Sequence, residues 1–121
     1  MKRILIVEDE SALRDVYKTL FKLEKFSVHE AANGREALKQ LPKTKPDVIL
    51  LDILMPVMGG VEFLKTAKLS QEYPSTKVLV LSNLSDPKTL KDITSLGVHK
   101  YLLKASASPV ELVGAVHELL G

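Results

Sequence analysis

Val48-Ile49-Leu50-Leu51-Asp52 runs directly into Ile53-Leu54-Met55-Pro56-Val57-Met58-Gly59-Gly60. Four branched apolar residues without polar alternation have the pattern of a strand covered on both faces, as strands of a parallel sheet are. The run stops on a single carboxylate, and a loop punctuated by Pro56 and two glycines follows. In parallel α/β sheets, functional groups collect just past the carboxyl ends of the strands. Asp52 therefore stands where chemistry is expected.

Outward from this strand, apolar runs alternate with helical patterns. Lys2 to Val7 reads as a strand ending on Glu8-Asp9, and a helix follows from about Ser11 with Leu13, Val16, Tyr17, Leu20 and Phe21 on one face. Phe26 to Ala31 is a more mixed strand, suited to a sheet edge. Asn33-Gly34-Arg35-Glu36 has the form of a capping box. It opens a short helix that buries Ala37, Leu38 and Leu41 and is expected to stop at Pro42, with Lys43 to Pro46 as a polar connection. After Gly60 a helix turns Val61, Leu64 and Ala67 inward, and Ser70 to Thr76, containing Pro74, reads as loop. Lys77 to Ser82 is a second fully apolar strand, ending on a hydroxyl. Asp86-Pro87 starts a helix, with Asp as cap and Pro at the first helical position. That helix shows Leu90, Ile93 and Leu96 and ends at Gly97, a residue suited to a left-handed cap. Lys100 to Lys104 is the last strand, Ser108 to Glu111 another capping box, and the final helix runs to about Leu120. Five such alternations predict a doubly wound parallel sheet with helices on both faces and right-handed crossovers, in one domain spanning residues 1–121. An effector domain past 121 would lie outside this sequence.

Composition narrows the function classes. The 121 residues are 45% hydrophobic and 26% charged, ordinary values for a globular protein. A net charge of +2 is too small to point to direct nucleic-acid or membrane binding. With no cysteine, disulfides and thiolate metal sites are excluded. No apolar run approaches a membrane span, and Glu8-Asp9-Glu10 cuts short the only signal-like start. Cytoplasmic residence is the expectation.

The strand ends converge on one rim. The first offers Glu8 and Asp9, the third Asp52, the fourth Ser82 and the fifth Lys104. Three carboxylates about 5 Å apart repel by roughly 3 kcal/mol per pair at an effective dielectric of 20. Such a cluster takes up protons or binds a hard cation, and Mg²⁺ favours oxygen ligands of this kind. Ser82 can donate to a phosphoryl oxygen and Lys104 can act as a point charge on another. Asp52 then reads as a nucleophile toward phosphorus, with transfer resting on position and charge neutralisation.

These residues carry a resemblance. Ile4 to Asp9, Asp52 to Gly60, Val78 to Ser82 and Tyr101 to Lys104, in this order, resemble a response-regulator receiver domain of two-component signalling. The resemblance implies a flavodoxin-like (βα)5 three-layer sandwich with strand order 2-1-3-4-5. It implies that Asp52 accepts phosphate from a sensor histidine kinase, a histidine phosphotransfer protein or a small phosphodonor. Mg²⁺ (or Mn²⁺) would be held by Asp9, Asp52 and the backbone carbonyl of Leu54, with Glu8 acting through water. Ser82 and Lys104 would hold the phosphoryl group, and Tyr101 would be the aromatic whose rotamer follows Ser82. Such a domain is a signalling switch, catalysing only its own phosphorylation and dephosphorylation. Its fourth helix, fifth strand and fifth helix would be read by a downstream effector or a second copy.

Three positions depart from the family pattern. Ala105 follows Lys104 where the family usually has Pro in a cis bond, and a cis bond before a non-proline residue costs about 2.5–4 kcal/mol, so a trans bond or a strained loop is expected. Gly59-Gly60 replaces the common Asp-Gly, changing the helix cap. Asn83 replaces a small residue after Ser82, and could crowd the phosphate or add a donor. Leu54 and Leu84 are apolar where, by the resemblance, neighbouring side chains influence attack by water, so slow loss of phosphate is expected.

Taken singly, each residue has a plainer reading. Glu8-Asp9 could cap the first helix, Asp52 could be a turn residue, and Ser82 and Lys104 a strand-end hydrogen bonder and a solvated charge. Tyr101 could be partly packed core, and Met55 and Met58 loop packing. His29, His99 and His117 lack metal spacing and read as surface residues. The final helix is apolar round much of its girth (Val110, Leu112, Val113, Val116, Leu119, Leu120), which fits either an interface or a well-buried helix. Three other functions fit the topology less well. A flavodoxin-like cofactor binder needs a phosphate loop where Glu8-Asp9-Glu10 stands. An aspartate phosphohydrolase usually has a second acid where Leu54 stands. A degenerate receiver that binds partners without phosphorylation is opposed by the full acidic and lysine set, with Ala105 arguing weakly the other way.

Overall fold

The computed structural model describes residues 1–121. Five strands, β1 (Arg3–Val7), β2 (Ser27–Ala31), β3 (Val48–Leu51), β4 (Lys77–Ser82) and β5 (Lys100–Leu103), form one sheet in the order β2-β1-β3-β4-β5. Every neighbouring pair is parallel. The helices are α1 (Ser11–Leu23), α2 (Gly34–Thr44), α3 (Gly60–Ala67), α4 (Pro87–Ser95) and α5 (Pro109–Leu120), with one further helical turn at Leu69–Glu72. This is the doubly wound (βα)5 arrangement expected from the alternating pattern.

Successive residues of a strand point to opposite faces, and both faces are covered. Leu5, Val7, Ile49, Leu51, Val78 and Val80 pack with Ala37 and Leu41 of α2, Phe63 and Leu64 of α3 and Ile93 of α4. Ile4, Ile6, Val48, Leu50, Leu79 and Leu81 pack with Phe21 of α1 and Leu112, Ala115 and Val116 of α5. That is why β3 shows no alternation: all four of its residues are buried. Full burial of such side chains stabilises by about 1.5–3 kcal/mol each.

Register fixes where the strands end. Val7 pairs with Leu51, and the Asp52 N–H donates to the Val7 carbonyl at 3.0 Å. Glu8 and Asp52 are therefore level at the rim. The loop after Asp52 is held by two close approaches. Gly34 N–H donates to the Met58 carbonyl at 2.8 Å, and a Cβ on Gly60 would lie 2.7 Å from the Asp52 carbonyl oxygen, so only glycine fits there.

Several local expectations are corrected. α2 does not stop at Pro42 but continues to Thr44 with Pro42 inside it. In the last turn a proline forfeits one backbone bond, while Thr44 Oγ1 donates to the Gln40 carbonyl at 2.8 Å and Lys45 closes the helix in the left-handed region. Residues 70–76 are not wholly loop: the turn Leu69–Glu72 forms because Leu69 has a core site, 3% exposed. Val16 is exposed at 57%, since α1 buries only the stripe leading to Phe21. The inward residues of α3 include Phe63, and Val61 is only partly buried. The last strand stops at Leu103, with Lys104 just past it. The caps at Asp86 and Ser108 form as read, and Gly97 has φ +92°. Glu36 reaches back to the Ala32 N–H rather than to that of the cap residue Asn33. The final helix buries Leu112, Ala115 and Val116 and leaves Val110 83% exposed.

Candidate functional site

Glu8 and Asp9 follow β1, and Asp52 follows β3. Carboxylate oxygens of the three lie within 4.8 Å of one another. Glu8 is 2% exposed and Asp52 6%, whereas Asp9 faces solvent. One Asp52 oxygen accepts the Ile53 N–H at 2.8 Å; the other accepts from the Lys104 ammonium at 3.0 Å. Lys104 also reaches Glu8 Oε1 at 2.6 Å, and the second Glu8 oxygen accepts the Glu10 N–H at 3.1 Å. Lys104 reaches this far although the chain has no cis bond, so Lys104–Ala105 is trans, as expected for alanine. Its backbone N–H is held by the Ser82 carbonyl at 2.9 Å, which seats the root of the side chain beside β4.

Charge dominates the site. Burial pushes the Glu8 carboxyl above its usual range, outweighing the hydrogen bonds from Lys104 and the Glu10 N–H, and the nearby Asp52 charge pushes the same way. Burial alone would lower the Lys104 ammonium, but hydrogen bonds to Glu8 and Asp52, and their charges, hold it well above its usual value. Two buried carboxylates thus share one internal cation. The donor set consists of hard oxygens, and it already holds positive charge at contact distance. These residues fit a hard divalent cation such as Mg²⁺; Glu8, Asp9 and Asp52 are the side chains that could hold it.

The site opens through a cavity of about 190 Å³ lined by Asp9, Glu10, Asp52, Leu54, Ser82, Asn83 and Lys104. Ser82 is fully buried, and its Oγ accepts the Leu84 N–H at 3.4 Å. The Tyr101 hydroxyl donates to the carbonyls of Ser82 and Leu84, tying β5 to the loop after β4. Leu54 is 60% exposed at the mouth. Leu84 lines a larger groove of about 470 Å³ beside it, with Ile53, Leu54, Val61, Glu62 and Thr89 among the other walls. All the residues picked out by strand-end position thus meet at one rim; Tyr101 reaches it through the backbone of Ser82. Arg14, which sequence position did not single out, donates to the Glu8 carbonyl at 2.6 Å from inside α1. No pattern marked it, because a charged residue on a helix ordinarily faces water.

The chain is similar to known proteins along most of its length. The family model described as response regulator receiver domain matches residues 4–117. The chain is 36% identical over 105 residues to chemotaxis protein CheY of Listeria monocytogenes, covering 86% of this chain and 87% of that protein. It is 36% identical over 104 residues to regulatory protein AtoC of Escherichia coli, covering 86% of this chain but only 22% of AtoC. Among solved structures it resembles response regulator protein TrrA of Thermotoga maritima in complex with Mg²⁺ and BeF, with a TM-score of 0.85 and 32% identity over 99% of this chain and 100% of that one. No helix of the chain is long and apolar enough to cross a membrane.

Proposed function

Because the chain belongs to the response regulator receiver domain family, we propose that it is a phosphorylation switch with Asp52 as the phosphoacceptor. The observation that carries this reading is the setting of Asp52. It is a buried carboxylate at the end of β3, one oxygen fixed by the Ile53 N–H and the other on Lys104, with Glu8 and Asp9 within metal-sharing distance. The partner would be a sensor histidine kinase or a histidine phosphotransfer protein. An Asp52 oxygen attacks phosphorus, the bond from phosphorus to the donor nitrogen breaks, and its electron pair stays on that nitrogen. Glu8, Asp9, Asp52 and the Leu54 carbonyl would hold Mg²⁺, which supplies positive charge for the phosphoryl oxygens when bound. The TrrA complex with Mg²⁺ and BeF supports that assignment by likeness. Lys104, already on Asp52, would shift its ammonium contact to a phosphoryl oxygen, and Ser82 lines the same cavity.

The output is a shift between two conformations. Ser82 moving toward the phosphoryl group would release the Leu84 N–H, and Tyr101, bonded to the carbonyls on either side, would follow. The surface of α4, β5 and α5 would then differ for an effector or a second copy. Incubation with Mg²⁺ and a small phosphodonor, read by intact mass, tests the reading. Wild type should gain one phosphate that alkali removes, and Asp52→Asn should gain none. Equal phosphate uptake by Asp52→Asn, or uptake undiminished without divalent cation, would overturn the assignment.

A further inference from the structure

We propose that Arg14 is a positioning residue for the acidic pair, transmitting the geometry of the β2 edge to Glu8 and Asp9. This rests on the metal-binding reading given above. Glu8 is tied to β2 through both of its backbone groups. Its N–H donates directly to the Ala31 carbonyl at 3.1 Å. Its carbonyl oxygen accepts from Arg14 Nη1 at 2.6 Å, while Arg14 Nε donates to Glu30 Oε1 on β2 at 2.9 Å. Glu30 is held in turn by Lys18, one helical turn on from Arg14, through its other oxygen at 2.5 Å. The hydrogen bonds of Lys18 and Arg14 keep the Glu30 carboxyl below its usual range, so it stays ionised and keeps its grip on the guanidinium.

The Arg14 side chain is 15% exposed, an unusual degree of burial for a helix cation that touches no carboxylate of the site. A planar guanidinium can serve the Glu8 carbonyl and the Glu30 carboxylate at once, which an ammonium cannot do with the same geometry. Glu8 and Asp9 sit on a corner between β1 and α1 whose acids repel one another, so the corner needs an anchor on the side away from the cavity. Arg14 and the Ala31 carbonyl supply two.

Position and charge make opposite predictions. A cation acting only through its field repels Mg²⁺, so its removal would tighten metal binding. A cation acting by holding the corner in place weakens metal binding when removed. Supporting contacts of this type are worth about tenfold or more in metal affinity. The test is Mg²⁺ titration of the unphosphorylated full chain by calorimetry at low salt and at 0.5 M salt (a level that shrinks the Debye length to roughly 4 Å), with thermal unfolding in parallel. Arg14→Met should weaken Mg²⁺ binding about tenfold at both salts. Arg14→Lys should recover only part of the loss, because it keeps the charge but not the fork. Glu30→Gln, which alters no atom bonded to Glu8, should weaken binding in the same direction by less. Unchanged or tighter binding in Arg14→Met, or full recovery in Arg14→Lys, overturns the proposal. Should wild type itself bind no Mg²⁺ while staying folded, the metal-site reading fails instead, and the two failures are distinct.

Discussion

The two halves of the rim are built differently. On the β1–β3 side, β3 is buried at all four positions and β1 at four of five. The corner that carries Glu8 is tied to β2 by two backbone anchors. On the far side β5 is buried at none of its four positions, and α4 buries only Ile93. The site straddles this boundary: Glu8, Asp9 and Asp52 stand on the packed half, Tyr101 and Lys104 on the sparse one. Segments with few buried apolar contacts open at lower cost than the core. The proposed phosphorylation switch would need both properties, a fixed acceptor and a surface that can change, and the difference between the two ends of this sheet suits that division.

The largest effect should come from attacking the packed half. Phe63 is fully buried between α3 and the sheet. Phe63→Ala should cost about 3–5 kcal/mol, read as a lowered urea midpoint by circular dichroism. Leu103→Ala, at the end of β5 and 38% exposed, should cost about 1 kcal/mol or less. Equal costs for the two substitutions would dissolve the contrast.

Lys104 joins the halves, so its removal tests the boundary itself. Lys104→Met leaves Glu8 and Asp52 buried side by side without their cation, and breaking a buried pair in this way costs about 3 kcal/mol. The penalty depends on pH with a definite sign. Burial already raises Glu8 above its usual value. In the variant the folded state therefore binds a proton more tightly than the unfolded chain does. The penalty should be absent below the unfolded carboxyl value of about 4.3 and grow as pH rises from there. Wild type loses stability in the same direction, but at the alkaline end. Its Lys104 is held above the ordinary ammonium value, so that stabilisation is present below about pH 10.4 and is lost as pH rises through the folded value. Denaturant midpoints from pH 4 to 8 would decide it. A variant equally destabilised across that range would show that Lys104 packs there without neutralising Glu8.

The same division explains what could be read from residue order. Val48 to Asp52 was legible because two-sided burial erases alternation, leaving a signal that needs no partner to interpret. Asp52, Ser82 and Lys104 were legible because strand ends of a parallel sheet share a rim whatever the loops do. Pro42 misled because a proline breaks a helix interior but merely costs one bond in a last turn. Leu69 and Phe63 were lost because their burial depends on which surface the neighbouring helix offers, and that is a tertiary fact. Arg14 was invisible for the same reason. Its partners are a backbone carbonyl six residues back and a carboxylate on an edge strand, and neither spacing forms a motif.

A smaller effect than the loss of Lys104 should come from the start of β5, where one histidine completes the ladder. His99 N–H donates to the Val78 carbonyl at 2.9 Å, and His99 Nδ1 accepts the Val78 N–H at 3.0 Å. Val78 is fully buried, so its N–H has no water to turn to. Only a neutral imidazole can accept that bond. Burial lowers the proton affinity of His99, and the Lys77 charge lowers it further; Lys100, next along the strand, is occupied with Glu118 at 3.4 Å. The folded state thus disfavours the protonated form. Stability from this contact is complete above the unfolded histidine value of about 6.5 and declines as pH falls below it. His99→Leu should cost about 1–2 kcal/mol above the unfolded histidine value by leaving a buried donor unpaired, and the cost should shrink as pH falls and wild type loses the same bond. His99→Asn, which can place an untitratable oxygen near Nδ1, should keep most of the stability and flatten its acid decline. The His99 ring titration by NMR and the exchange rate of the Val78 amide should move together in wild type. If the His99 ring titrates at its ordinary value while the Val78 amide stays protected, the ladder does not depend on this side chain. The sparse half of the sheet would then owe its looseness to burial alone.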